Sequence, residues 1–340
     1  MPVVSTAGFG WIWPISSGFF TRSLTAGYVE TKPEKPSRSS VRRNHRWFLP
    51  ALAALMAAGP LALPAPTAAQ PIVNRALMEP EDDFPVALRN RSRHAQTLNN
   101  QHSAHGILLK DLHTGRTLYE YGSDRRLSPA SLTKIMSALV ILESGRQEDL
   151  VTVSRTAAAA PKTHLRLRPG HVYHLGDLLK AMLITSANDA CLAAAEHVGG
   201  SEERFVALMN AKAAALGLTD THFSNACGFD APEHYATAAD LAKLSEVALQ
   251  DPVFRSLVRE EIQLISPVNA NRTYLLKNTN RLLGKFPGVE GVKTGFTSRA
   301  GRCLIAKVSQ DGKELLLVLL HANRRWNTAA SLINYGLQQR

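Results

Sequence analysis

Pro129-Ala130-Ser131-Leu132-Thr133-Lys134-Ile135-Met136 decides how the rest of this 340-residue chain is read. Pro129 stops a helix from running in from upstream, and Leu132, Ile135, Met136, Leu139 and Val140 then recur at helical spacing. The stretch therefore predicts the first turn of a helix. Ser131 and Lys134 are three residues apart and leave the same face of that turn. A serine hydroxyl is a weak nucleophile that needs a base beside it, and a lysine amine serves if burial and a second cation lower its pKa. Free N–H groups at a helix start favour negative charge developing near Ser131. Ser-x-x-Lys also occurs on ordinary surface helices, so the reading turns on partners further along the chain.

Upstream, residues 107–112 and 117–121 read as two strands around a turn at His113-Thr114-Gly115-Arg116. Downstream the chain turns helical. Residues 178–184 and 190–197 are apolar helical segments, broken by Thr185-Ser186-Ala187-Asn188-Asp189 and closed at Gly199-Gly200. Residues 202–216 are amphipathic through Phe205, Leu208, Met209, Ala213 and Leu216, with Gly217 as the C-cap. Thr237-Ala238-Ala239-Asp240 resembles a capping box and opens a helix towards Gln250. Strands return at 289–295, 302–309 and 315–321, the last two joined by the hairpin signal Asp311-Gly312, and a helix over 326–335 ends the order. That order predicts an α+β fold with an antiparallel sheet flanked by helices and a helical subdomain.

The formal net charge of +11 is unevenly spread: residues 1–69 hold seven Lys/Arg and two Asp/Glu, leaving 32 against 26 in the remainder. Without long basic blocks or interleaved aromatics, nucleic acid is not expected as a partner. Twelve histidines and three cysteines fall in no metal-ligand spacing, so no metal and no cofactor is expected. Cys191, Cys227 and Cys303 read as buried free thiols, with one disulfide among them as the alternative.

Arg42-Arg43 and Arg46, an apolar run over 47–63 and Ala65-Pro66-Thr67-Ala68-Ala69 are the three parts of a secretory signal peptide over 41–69. Pro50 and Pro60 argue against a membrane-spanning helix. Residues 1–40 then read as an extension from a misassigned start, with translation beginning at Val41. Residues 70–102, polar and broken by Pro71, Pro80 and Pro85, read as a linker, and the folded domain is expected from 103 to 340.

Ser186-Ala187-Asn188, at a helix break, can present a hydroxyl and an amide to a cleft. Lys293-Thr294-Gly295, on a strand, can hold a carboxylate, with glycine permitting close approach. Ser-x-x-Lys, Ser-x-Asn and Lys-Thr-Gly in this order are the motif set of penicillin-binding proteins and serine β-lactamases. The resemblance goes further. Ser128 to Met136 is similar to the nucleophile segment of the low-molecular-mass serine D-alanyl-D-alanine carboxypeptidases, and Thr185 to Cys191 to their second motif, which more often has Gly before the Asn. Phe205-Val206, Met209-Asn210, Leu216-Gly217-Leu218, Thr221-His222-Phe223, Gly288 to Thr297 and Ala300-Gly301 also resemble that family.

The resemblance implies a D,D-peptidase domain over 103–340 that acts on peptidoglycan stem peptides in the periplasm or cell envelope and is acylated by β-lactam antibiotics. It implies Ser131 as nucleophile, Lys134 as base and Ser186 as proton relay. Asn188 would bind the substrate amide and orient Lys134. Lys293 and Thr294 would hold the terminal carboxylate, beside Gly295, and the N–H groups of Ser131 and Phe296 would form the oxyanion hole. Arg325 is either a second carboxylate contact or a solvated arginine. Relatives often add an all-β domain and an anchoring helix, whereas this sequence stops at Gln338-Gln339-Arg340. A single-domain form without a stable membrane anchor is therefore expected, and a D,D-endopeptidase is the alternative activity. A β-lactamase is a third reading, and it would need an acid over a deacylating water. Glu196, Glu202 and Glu203 read instead as solvent-facing charges. A non-catalytic peptidoglycan-binding protein would be expected to have lost the nucleophile or base that this chain keeps.

Overall fold

A computed structural model describes Ile72–Val73 and residues 104–161 and 163–339, all within one compact unit over residues 64–340. The extension and signal expected over 1–69 lie outside the described residues.

Five strands form one antiparallel sheet in the order β3-β2-β10-β9-β8. They are β2 (Ala104–Asp111), β3 (Thr117–Tyr121), β8 (Val289–Thr297), β9 (Gly301–Gln310) and β10 (Lys313–Ala322). The Asp311-Gly312 hairpin joins β9 to β10 with both residues at positive φ, 52° and 76°, as a tight primed turn requires. Central β10 is buried on both faces, which is why its sequence is a continuous apolar run. Leu315, Leu317 and Leu319 meet Trp326 and Ile333 of the terminal helix α8 (Arg325–Gln338) in one core. Leu316, Val318 and Leu320 turn the other way into a larger helical core.

That helical side holds α1 (Lys134–Glu143), α3 (Leu175–Ile184), α4 (Asn188–Gly199), α5 (Glu202–Ala215), α6 (Ala238–Ala248) and α7 (Pro252–Arg259). Serine and threonine hydroxyls start two of them: Ser201 accepts from the Arg204 N–H and Thr237 from the Asp240 N–H. Among the described residues no helix is long and apolar enough to cross a membrane.

Two expectations change. The turn holding Ser131 is a 3-10 helix over Ala130–Thr133, and α1 begins only at Lys134. The tighter i→i+3 winding still leaves Ser131 and Lys134 neighbours. Within the expected linker, Ile72–Val73 form β1, parallel to β7 (Tyr274–Lys277) at the edge of a small sheet with β6 (Ile262–Ile265).

Candidate active site

Lys134 is fully buried, although it carries an amine. Its Nζ lies 3.0 Å from Ser131 Oγ, 2.7 Å from Asn188 Oδ1 and 2.6 Å from the carbonyl oxygen of Cys227. Burial, followed by the charge of Lys293, holds its pKa well below that of a free lysine, while the buried Asp189 carboxylate opposes them. A neutral amine has two protons and one lone pair. With the protons on Asn188 and Cys227, the lone pair faces the Ser131 hydroxyl, which is the arrangement a general base needs.

Several devices hold the Ser131 turn. Ala130 stands at φ 48°, a conformation non-glycine residues seldom adopt. Thr133 Oγ1 donates to the Ala130 carbonyl at 2.8 Å and meets His234 Nε2 at 2.8 Å. Because His234 Nδ1 accepts the Ser224 N–H at 2.9 Å, its proton sits on Nε2, and burial lowers its pKa to about 4. Gly228, at φ 87°, packs so tightly that a Cβ there would lie 1.9 Å from the Ala130 oxygen.

Ser186 is in the break between α3 and α4, at φ 63° and 6% exposed. It is not among the three partners of Lys134. Asn188 opens α4; besides accepting from Lys134, it donates from Nδ2 to Pro161 O at 3.0 Å and from its N–H to Thr163 O at 2.6 Å. Next to it, Asp189 takes the N–H groups of Leu165 and Leu167 at 3.1 and 2.9 Å. The second motif thus holds the backbone of Pro161, Thr163, Leu165 and Leu167.

On the strand side, β8 is an edge strand of the sheet. Lys293 pairs with Ile305, whose side chain belongs to the helical core, so Lys293 also projects towards that core and is 1% exposed. Thr294 Oγ1 meets Thr279 Oγ1 at 2.6 Å. Gly295 also has a packing role: a Cβ there would stand 3.1 Å from Ala130 Cβ, Pro129 O and the Ser131 nitrogen, so glycine lets the strand pack on the Ser131 turn. Phe296 follows and is 44% exposed.

Three readings need correction. Arg325 is not solvated: 2% exposed, its Nη1 donates to the carbonyls of Gly295 at 3.1 Å and Cys303 at 3.3 Å. Those carbonyls draw the guanidinium under β8 and β9. Glu202 turns inward, accepts the Ala226 N–H at 3.0 Å, and burial raises its pKa. Cys191 and Cys227 form a disulfide, since the fold brings their Cα atoms to 6.0 Å; the buried Cys303 lies outside it. Sequence reasoning also missed the Cys227 carbonyl, Gly228 and His234, none of which carries a motif of its own, and gave no role to Asp189 within the second-motif stretch. Among the described residues no group of three or more His, Cys, Asp or Glu gathers as a metal site.

The chain is 36% identical to the D-alanyl-D-alanine carboxypeptidase DacF of Bacillus subtilis over 234 residues, which are 65% of this chain and 58% of DacF. It is 31% identical to a D-alanyl-D-alanine endopeptidase of Pseudomonas aeruginosa over 229 residues, 66% of this chain and 73% of that protein. The fold superposes on the crystal structure of the Streptomyces K15 DD-transpeptidase with a TM-score of 0.66 and 30% identity, covering 70% of this chain and 98% of that one. Residues 91–324 match the model of peptidase family S11, described as D-alanyl-D-alanine carboxypeptidase. With its three motifs in place along that match, the chain belongs to the D-alanyl-D-alanine carboxypeptidase family.

Proposed function

We propose that this chain is an exported serine D-alanyl-D-alanine carboxypeptidase that removes the terminal D-alanine from peptidoglycan stem peptides. The observation that carries the reading is the buried Lys134 amine 3.0 Å from Ser131 Oγ, with two other oxygens to take its protons. Ser131 Oγ attacks the carbonyl carbon between the two D-alanines while its proton passes to Lys134. The N–H groups of Ser131 and Phe296 take the oxyanion, each donor worth about 3–4 kcal/mol in comparable sites. The C–N bond breaks, and the proton on Lys134 passes through Ser186 to the leaving amine. Water then hydrolyses the ester by the same route in reverse. Lys293 and Thr294 hold the terminal carboxylate, and Asn188 orients Lys134 and meets the substrate amide. Arg325 supports the Gly295 carbonyl from beneath, and the signal segment delivers the domain to the cell envelope.

Penicillins place a strained amide in the same position, so a penicilloyl adduct on Ser131 that turns over slowly is expected. Purified protein should release D-alanine from a pentapeptide ending in D-Ala-D-Ala, and Ser131→Ala should abolish both release and adduct. No release, with cleavage of cross-linked muropeptide dimers instead, would move the assignment to endopeptidase. The likeness to the Pseudomonas endopeptidase, across a larger share of that relative than of DacF, supports testing it. Hydrolysed antibiotic and free enzyme within seconds would point to a β-lactamase. A folded protein that takes no label would point to a binding module.

A further inference from the structure

The Cys191–Cys227 disulfide lies closer to the chemistry than a staple needs to. Cys191 is on α4, one turn after Asn188, and Cys227 supplies the carbonyl that faces Lys134 Nζ at 2.6 Å. The two oxygens that take the Lys134 protons therefore belong to two segments, and the disulfide joins those segments across 36 residues of sequence. If either oxygen drifts, the amine rotates and its lone pair no longer points at Ser131 Oγ. We propose that the Cys191–Cys227 disulfide is a positioning link for the catalytic base, so that full acylation competence is reached only when the chain folds under oxidising conditions. This inference rests on the acyl-enzyme reading above.

The loop has other anchors that keep it near its place without the sulfur bond. Asn225 Oδ1 accepts the N–H groups of Cys227, Gly228 and Phe229 at 3.3, 2.8 and 2.9 Å. Ser137 Oγ of α1 donates to Ala226 O at 2.5 Å, and Gly228 is wedged against Ala130. Loss of the disulfide should thus leave a folded protein with a loosened acceptor. Both cysteines are buried, at 0% and 1% exposure, so oxidation must occur before the loop closes over them. Each Cys191/Cys227 pair then gives up two protons and two electrons to an external disulfide, which leaves as two thiols. Once packed, the bond is closed to reductants.

The test is to fold the protein with and without a disulfide oxidant, and to count thiols after denaturation. One thiol is expected for the oxidised form and three for the reduced form, because Cys303 takes no part in the disulfide. Acylation by a fluorescent penicillin is then resolved into a dissociation constant and a rate constant per folded molecule. The reduced form should acylate about tenfold more slowly or worse, with its dissociation constant within about twofold, and reoxidation during refolding should restore the rate. A simple staple would lower the melting temperature and leave that rate constant unchanged, which would overturn the proposal. If the reduced chain does not fold, the C191A/C227A variant takes its place. A wild-type rate in that variant, or its failure to fold, also overturns the positioning role. An oxidised protein that is never acylated removes the acyl-enzyme reading itself.

Discussion

The helical and strand sides of the cleft are built differently. On the strand side, Lys293, Thr294, Gly295 and Phe296 follow one another on a single edge strand, and their geometry is that of β8 itself. On the helical side, the surroundings of Lys134 are assembled from Ser131, Asn188 and the Cys227 carbonyl, groups up to 96 residues apart. The segment 225–234 reaches both sides. It supplies the Cys227 carbonyl to Lys134 and His234 to Thr133, and through Asp230 it takes the Thr297 hydroxyl at 2.6 Å, just past the strand motif. In the proposed mechanism the binding cation needs only a place and a charge, which one strand provides. The proposed base needs its protons and its lone pair directed separately, which takes several segments.

The widest separation between the two sides should come from exchanging lysine for arginine on each. Lys134→Arg should reduce penicillin acylation by about 10²–10⁴-fold, because a guanidinium does not release its proton. Lys293→Arg keeps a cation and should cost about tenfold, mainly in KM, as the planar fork seats the carboxylate differently. Comparable losses in the two variants would erase the distinction. Acylation rates and thermal melts on the same samples separate chemistry from misfolding.

Glycine variants sharpen the comparison. Gly228→Ala forces a Cβ into the Ala130 carbonyl at a residue with φ 87°, and should destabilise by about 3–5 kcal/mol. Gly295→Ala meets its neighbours at 3.1 Å, so about 1–2 kcal/mol is expected, with a larger effect on acylation because the strand would push on Ser131. Chemical denaturation measures both.

Much of this cleft was legible wherever residues close in sequence make the structure. The three motifs, the Thr237 cap of α6 and the Asp311-Gly312 hairpin all appear where the sequence puts them, because spacing and turn chemistry act locally; the α5 C-cap is Leu216, with Gly217 one residue beyond it at φ 63°. The 225–234 segment was not legible. The acceptor it offers Lys134 is a backbone carbonyl, which any residue could supply, and Cys191 and Cys227 have no local spacing to pair them. Arg325 misled for a related reason: its burial is set by the carbonyls of Gly295 and Cys303, distant in sequence. The strands β4 (Leu150–Thr152) and β5 (Val172–His174), of three residues each, were too short to show a period. In contrast, α7 carried a readable start, Asp251 capping and Pro252 at the first turn, that was passed over.

A smaller effect concerns His234. With its pKa lowered to about 4 in the fold, it stays neutral between pH 6.5 and 4 while the unfolded chain protonates. Its contribution is therefore present above pH 6.5 and is lost as pH falls, by up to about 3 kcal/mol near pH 4. His234→Asn should flatten that part of the stability-against-pH curve relative to wild type. An unchanged slope would show that His234 titrates normally.

The central claim is that Lys134 is a neutral base whose pKa is held down by burial and by Lys293, and the pH dependence of acylation tests it most directly. In the wild type the rate should rise along a limb well below the pKa of a free lysine. In Lys293→Gln, with the neighbouring charge gone, that limb should move to higher pH while the overall rate falls. A wild-type limb at the free-lysine position, or one that does not move in Lys293→Gln, would contradict the account.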